Sequence, residues 1–251
     1  MRPGLLLLPL LLTVGGACSS RDPATAGLLL QVEAGATTSV PSEAVYNPCP
    51  ASVPVCTIMP LGDSLTSGAG DEADGGYRGE LFRLLQRTGR PFDFQGTQRV
   101  GPGSGHEGHP GAHILLLNSY VDVWLPQYKP NVILMLFGTN DLDFYLEMHV
   151  LDYSKILDRM IALLPQALIV VAAVPPAPFV DHKPAIEFNR QLLAMVQPKA
   201  AAGKHVVVVD MHSALQLRDI GPDGTHPVHT GYVKMAHVWN TVLDRFMRPA
   251  P

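Results

Sequence analysis

Short apolar segments that end at a glycine or a proline recur along this chain. The strongest runs from Val132 to Phe137 and stops at Gly138, and another, from Ala167 to Val174, stops at two prolines. Apolar segments of this length are typical of strands buried on both faces of a parallel sheet. We predict strands over residues 55–61, 92–94, 132–137, 167–174 and 206–209, and helices over 77–86, 113–124, 153–164, 185–200 and 231–246. Strands that alternate with helices imply right-handed crossovers and a parallel sheet covered on both faces.

The composition permits one domain with a sizeable core. The chain has 251 residues, of which 47% are hydrophobic, and its apolar segments extend along most of its length. A chain of this size buries most of the surface that its unfolded form exposes. The net charge is −4 and no basic stripe is visible, so nucleic acid is not an expected partner.

The N-terminus has the pattern of an export signal. Arg2 supplies a positive charge, Leu5 to Val14 supply a short apolar region, and small residues follow. Ten apolar residues are too few to span a bilayer, which needs about 20. We therefore interpret residues 1–18 as a signal peptide. Because Cys18 is followed by serines, the segment also loosely resembles a bacterial lipoprotein cleavage site, which leaves a lipid anchor at Cys18 open.

Residues 19–45 are rich in Ala, Thr, Ser and Gly, and we interpret them as a linker or tether before a domain over 46–251. We expect a secreted protein, or alternatively one that is lipid-anchored at the cell surface. In an oxidising compartment Cys49 and Cys56 are expected to form a disulfide; the alternative is two unrelated buried thiols.

Three polar clusters follow predicted strands, the last of them after a longer loop. They are residues 62–64, 138–141 and 223–226. In parallel sheets, functional residues gather in the loops at the carboxyl ends of the strands. These clusters are therefore expected to meet at one edge of the sheet.

Ser64, Asp223 and His226 have the residue types of a nucleophile, an orienting carboxylate and a base. A serine needs a base within hydrogen-bond reach, and an aspartate three residues before a histidine can orient the imidazole locally. Taken alone, however, each cluster favours a structural role: Ser64 as a helix N-cap, and the aspartate and histidine as part of a surface turn. The Gly-x-Ser-x-Gly elbow of α/β-hydrolases is absent, because position 66 is Thr.

Two further segments could supply donors to a developing oxyanion. The side-chain amide of Asn140 follows the strongest strand, and the segment 108–111 offers glycine N–H groups. The alternative for Asn140 is a turn that caps the next element. We expect Asp141 and Asp143 to cap the helix that follows.

The four segments in this order resemble the four sequence blocks of the SGNH (GDSL-type) hydrolases. They are residues 58–66, 108–111, 137–141 and 223–227. The resemblance implies that Ser64 is the nucleophile, that His226 is the general base, and that Asp223 orients it. It implies an oxyanion hole formed by the backbone N–H of Ser64, the N–H of Gly111 and the amide of Asn140. Gly108 is the alternative to Gly111.

Finer features resemble the family 3 carbohydrate esterases, a group of acetyl xylan esterases. They are Gly75 to Arg78, the segment 106–111, and the residues that follow His226. This resemblance implies a three-layer α/β/α flavodoxin-like fold with a parallel sheet of about five strands. It also implies removal of O-acetyl groups, through an acyl-enzyme, from an acetylated polysaccharide, expected to be xylan, or from a small ester. Ala112 stands where an aromatic residue is common, so the acyl or sugar subsite is expected to differ.

Other functions and sites stay open at this level. One alternative is an esterase or lipase of the same fold that acts on lipid or other acyl esters. Another is a carbohydrate-binding relic without catalysis, against which the presence of Ser64, Asn140, Asp223 and His226 counts. His106 and His109 lack the helical His-Glu-x-x-His spacing of zinc proteases, so we assign them to packing and expect no metal and no cofactor. We expect a monomer.

Overall fold

The computed structural model describes residues 46–102, 104–142, 145–180 and 182–247. The predicted signal peptide over 1–18, the lipid anchor at Cys18 and the linker over 19–45 lie outside the described residues, as does Asp143. Among the helices in the described ranges, none combines the length and the apolar character that a membrane span requires.

The sheet is parallel throughout, as the apolar segments predict. Its strands are β1 (Cys56–Gly62), β2 (Phe92–Phe94), β3 (Glu107–Gly108), β4 (Val132–Leu136), β5 (Leu168–Ala173) and β6 (Val206–Asp210). Five strands follow the order β2-β1-β4-β5-β6, and the two-residue β3 pairs with the last residues of β1. The prediction of an α/β/α fold with about five parallel strands is confirmed.

Helices cover both faces of this sheet. They are α1 (Ser64–Ser67), α2 (Tyr77–Gln86), α3 (Leu116–Tyr128), α4 (Leu146–Leu163), α5 (His182–Ala201), α6 (Met211–Ala214) and α7 (His229–Met247). The prediction for α2 is confirmed at both ends. The prediction for α4 began seven residues too late, because the exposed Met148 and Leu151 interrupt the amphipathic pattern of its first turns.

Successive residues of each central strand point to opposite faces of the sheet, and each face has its own hydrophobic core. Leu134 and Leu136 of β4 pack on one face with α2 and α7, whereas Ile133 and Met135 pack on the other face with α3, α4 and α5. All five residues of β4 are buried. This is why the strand has no alternation of polar and apolar residues, and why its carboxyl end, rather than its faces, is free to carry function.

A disulfide joins Cys49 to Cys56 at the first residue of β1. Both cysteines are fully buried in the core under α2 and α7. The bond therefore fastens the segment before the sheet to the strand that leads to Ser64.

Candidate active site

The turn between β1 and α1 brings Ser64 to the carboxyl edge of the sheet. A Cβ atom on Gly62 would lie 2.5 Å from the carbonyl oxygen of Leu136, so only glycine fits where the strand ends. Asp63 then caps α1 through its side chain, which accepts the N–H of Leu65 at 2.9 Å. Ser64 itself is the first residue of α1.

Ser64, His226 and Asp223 form a continuous chain of hydrogen bonds. The Oγ of Ser64 lies 2.8 Å from Nε2 of His226, and Nδ1 of His226 lies 2.6 Å from a carboxylate oxygen of Asp223. The other carboxylate oxygen accepts the backbone N–H groups of Thr225 at 2.9 Å and of His226 at 3.0 Å. This arrangement lets the imidazole take a proton from the serine hydroxyl while the carboxylate fixes its orientation.

The carboxylate of Asp223 stays ionised. Partial burial acts to raise its pKa, but the hydrogen bonds from Thr225 and His226 outweigh that effect and hold the pKa at about 2. Asp223 is therefore negatively charged, beside Nδ1 of His226, at any pH well above that value.

The loop that carries Asp223 and His226 is fixed by its own backbone. The N–H of Gly221 donates to the carbonyl of His226 at 2.7 Å, and Gly224 has a φ of 72°, which favours glycine. The helix α7 begins directly afterwards at His229. The short, closed loop thus sets the distance between the aspartate and the histidine.

The three N–H groups of the predicted oxyanion hole differ from that of Gly108 in still having a hydrogen to donate. Within the described residues, the backbone N–H groups of Ser64 and Gly111 donate to no acceptor. The amide of Asn140 donates one hydrogen to the carbonyl of Ala112 at 2.9 Å and retains a second. The N–H of Gly108, by contrast, already donates to Nδ1 of His106 at 3.0 Å.

Asp141 does not cap the helix that follows it, so that prediction is wrong. Its fully buried carboxylate accepts the N–H of Ile114 at 3.1 Å, and the ring nitrogens of His113 and His149 lie 3.3 Å and 3.5 Å away. The carboxylate binds the segment before α3 because that segment brings unpaired N–H groups to the edge of the sheet. Asn140 and Asp141 together therefore hold the loop that contains Gly111.

Sequence patterns gave no role to Arg78, which is fully buried beneath the turn that carries Ser64. Its guanidinium donates to the carbonyl oxygens of Thr66 at 2.8 Å, Ser67 at 3.1 Å and Val100 at 3.0 Å. A buried arginine requires acceptors for its rigid set of donors, and here backbone carbonyls supply them. In the sequence, Arg78 stood out only as part of the segment Gly75 to Arg78, which resembles the family 3 carbohydrate esterases. That resemblance did not predict which groups Arg78 contacts.

Asp63 was also missed as a buried ionisable group. Burial raises its pKa to about 7, the nearby charge of Asp141 adds to that increase, and the N–H of Leu65 opposes it. The carboxyl group therefore holds a proton at mildly acidic pH.

His106 and His109 are used for packing, in line with their interpretation from the sequence. Burial, followed by the charges of Arg78 and His109, lowers the pKa of His106 to about 3, so its Nδ1 remains an acceptor. Nε2 of His109 lies 2.8 Å from the carboxylate of the fully buried Glu107. The ring of His106 is thus paired with the backbone of Gly108, and the ring of His109 with the side chain of Glu107.

Elsewhere, Asp71, Asp74 and His229 present ligand atoms within 4.8 Å of one another, a spacing that could hold a cation. Both carboxylate oxygens of Asp74 already accept hydrogen bonds from Arg83, at 2.7 Å and 2.6 Å. His229 in turn lies 2.9 Å from Asp71. Each of the three groups therefore already has a partner within the protein.

Several known proteins are similar to this chain in sequence or fold. The model of the GDSL-like lipase/acylhydrolase family matches residues 61–234. The chain is 26% identical over 225 residues to a multidomain esterase of Ruminococcus flavefaciens, covering 76% of this chain but only 29% of that protein. It is also similar to the structure of a family 3 carbohydrate esterase of Clostridium thermocellum, with 35% identity and a TM-score of 0.68, over 76% of this chain and 97% of that one.

A second solved structure supports the fold alone. A carbohydrate esterase of family 3 from Talaromyces cellulolyticus is 22% identical, with a TM-score of 0.68, over 76% of this chain and 98% of that one.

Proposed function

Because this chain belongs to the GDSL-like lipase/acylhydrolase family, we propose that it is a carboxylic ester hydrolase. We propose further that it removes O-acetyl groups from a carbohydrate, with acetylated xylan as the substrate. The observation that carries this proposal is the hydrogen-bond chain from Ser64 through His226 to Asp223. Ser64 and His226 are 162 positions apart in the sequence, yet the serine hydroxyl lies 2.8 Å from the imidazole. The carboxylate of Asp223 contacts the other nitrogen of that imidazole.

In the proposed reaction, Nε2 of His226 takes the proton of Ser64 as Oγ attacks the acetyl carbonyl carbon. The negative charge that develops on the carbonyl oxygen is held by the N–H groups of Ser64, Gly111 and Asn140. His226 then gives its proton to the departing sugar oxygen, and the acetyl group remains on Ser64. Water, deprotonated by His226, attacks the acetyl-enzyme, and acetate and the free serine result.

The choice of Gly111 over Gly108 rests on the availability of its N–H group. Gly108 donates to His106, whereas the N–H of Gly111 has no acceptor among the described residues. Gly111 has a φ of 74°, and a Cβ there would contact no heavy atom within 4 Å. A backbone N–H without an acceptor is available to a substrate oxygen, and this supports Gly111 as the backbone donor.

The proposal of acetyl xylan as substrate is supported by the likeness to the family 3 carbohydrate esterase of Clostridium thermocellum and by the sequence segments that resemble this family.

We also propose that the protein is exported. Disulfides persist in oxidising compartments, and Cys49 and Cys56 are joined in the core of this protein.

The direct test measures acetate release from acetylated xylan beside hydrolysis of p-nitrophenyl acetate, butyrate and octanoate. We expect acetate release from xylan and a preference for acetate over octanoate. Mass spectrometry after a rapid acid quench should show one acetyl group on the peptide that contains Ser64. A preference for octanoate would instead support the lipid esterase, and an acetyl group on another residue would refute the assignment of the nucleophile.

A further inference from the structure

Three rings form a stack that leads from the loop beside Ser64 to the outside of α3. The ring of His109 lies parallel to Trp124, with a centroid distance of 5.0 Å and an interplanar angle of 3°. Tyr120 stacks on Trp124 at 4.8 Å and 12°. Tyr120 and Trp124 are four residues apart on α3, so one face of the helix presents both.

The inner end of the stack is firmly attached to the candidate active site. The backbone N–H of His109 donates to the carbonyl of Gly62, two residues before Ser64, at 3.0 Å. The ring of His109 is held at Nε2 by Glu107, whose carboxylate also accepts the side-chain hydroxyl of Thr97 at 2.8 Å. His109 itself lies between Gly108 and Gly111. The stack is therefore continuous with the loop that carries the proposed oxyanion donor.

The outer end of the stack is open. Trp124 is only 5% exposed, whereas Tyr120 is 43% exposed. Within the described residues, the hydroxyl of Tyr120 forms no hydrogen bond. Packing of α3 on the sheet explains the buried Trp124, but it does not require a second, solvent-facing ring stacked upon it.

We propose that Tyr120 is a platform on which one xylose ring of the glycan backbone stacks, at a subsite away from the acetyl group that is cleaved. This inference rests on the proposed function and identifies how the polymer, rather than its ester, is held. A β-xylopyranose with equatorial substituents presents flat faces of axial C–H groups. Their partial positive charge is complementary to the negative face of an aromatic ring.

The stack also reduces the cost of binding. The ring of Tyr120 is already stacked on Trp124, which in turn stacks on His109. It therefore loses little conformational freedom when a sugar covers it, so more of the contact energy appears as affinity. Tyr120 therefore contributes to substrate positioning and has no contact with the reacting atoms.

The kinetic test compares Tyr120→Ala with Tyr120→Phe and with Val123→Ala, which removes another exposed apolar side chain of α3, outside the stack. For Tyr120→Ala, the ratio of kcat/KM on acetylated xylan to that on p-nitrophenyl acetate should fall about three- to tenfold, through KM. Tyr120→Phe should retain the ratio, and Val123→Ala should not alter it. An unchanged ratio in Tyr120→Ala would overturn the platform.

A binding test keeps this inference separate from the esterase proposal. The protein has two tryptophans, and Trp239 is fully buried beside Tyr77, so Trp124 reports on the platform. Titration with unsubstituted xylohexaose should change the tryptophan fluorescence of the wild type and of Tyr120→Phe, but not of Tyr120→Ala. Binding that depends on Tyr120 without acetate release from xylan would refute the acetyl xylan proposal alone. The same fluorescence response in the wild type and Tyr120→Ala, or none in either, would refute the platform.

Discussion

The side-chain amide of Asn140 donates a hydrogen bond of 2.9 Å to the carbonyl oxygen of Ala112. This bond ties the end of β4 to the residue after Gly111, so two of the three proposed oxyanion donors are fixed to each other. Electrostatic stabilisation of a transition state depends on donors that are in place before the charge develops. The Asn140–Ala112 contact supplies that preorganisation.

Asn140→Ala removes both a donor and the tie to Ala112. We expect kcat on p-nitrophenyl acetate to fall about 10²–10³-fold with a smaller effect on KM, because the donor acts on charge that forms only in the transition state. Asn118→Ala, which truncates an exposed amide on α3, serves as the control. A decrease below threefold would exclude Asn140 from the oxyanion hole.

Ser64→Ala should abolish the formation of an acetyl-enzyme. We expect a loss of activity of at least about 10³-fold, since the oxyanion donors alone leave only weak catalysis. The circular dichroism spectrum should match that of the wild type, because among the described residues the side chain bonds only to His226. Ser119→Ala, on the exposed side of α3, provides a matched control. Comparable activity in the Ser64 and Ser119 variants would remove Ser64 from the mechanism.

Asp63→Asn should change how stability depends on pH. The pKa of Asp63 is raised from 3.8 to about 7 in the folded protein, so the folded state binds a proton more tightly than the unfolded state. The free energy of unfolding of the wild type therefore loses up to about 4 kcal/mol as the pH rises from about 4 to 7, and the substitution removes that loss. The amide oxygen of the asparagine can still accept the N–H of Leu65.

The measurement is guanidinium unfolding of both proteins at several pH values. His106 acts in the opposite direction, because its lowered pKa destabilises the fold as the pH falls, but it does so equally in both proteins. The difference between wild type and variant therefore isolates Asp63. Asp93→Asn, at an exposed position of β2, controls for a change in net charge. A difference that stays constant with pH would contradict the assignment.

Removal of the disulfide by the double substitution Cys49→Ala and Cys56→Ala should destabilise the protein. The bond closes a loop with a sequence separation of 7 residues, for which chain entropy predicts about 2–3 kcal/mol. In calorimetry this corresponds to a Tm lower by about 5–10 °C. A reducing agent should lower the Tm of the wild type by a similar amount and leave that of the variant unchanged. Equal Tm values for oxidised wild type and variant would show that the bond adds no stability.

The sequence predicted those features that local patterns determine. Uniformly apolar segments such as 132–137 indicated a parallel sheet, and the polar clusters at strand ends placed Ser64, Asn140 and His226 at one edge. A parallel sheet brings the carboxyl ends of its strands together, so the register of the strands did not need to be known. The roles assigned to these residues remain proposals.

The contacts of buried polar residues could not be predicted in this way. Arg78 reaches the carbonyl of Val100, and Asp141 reaches Ile114, through loops whose path depends on tertiary packing. In sequence alone, Asp141 had the appearance of a helix cap, because an aspartate after a strand commonly has that role. Its partner is instead the N–H of Ile114, which lies 27 residues earlier in the chain and reaches Asp141 only through tertiary packing.

The hydroxyl of Ser64 lies on the first strand–helix turn of the sheet, whereas its imidazole partner is contributed 162 residues later, just before α7. In the proposed mechanism, a shortened product that ends before position 226 would have the nucleophile but not the base. Full hydrolytic activity would therefore require synthesis of nearly the whole domain, up to the loop before α7.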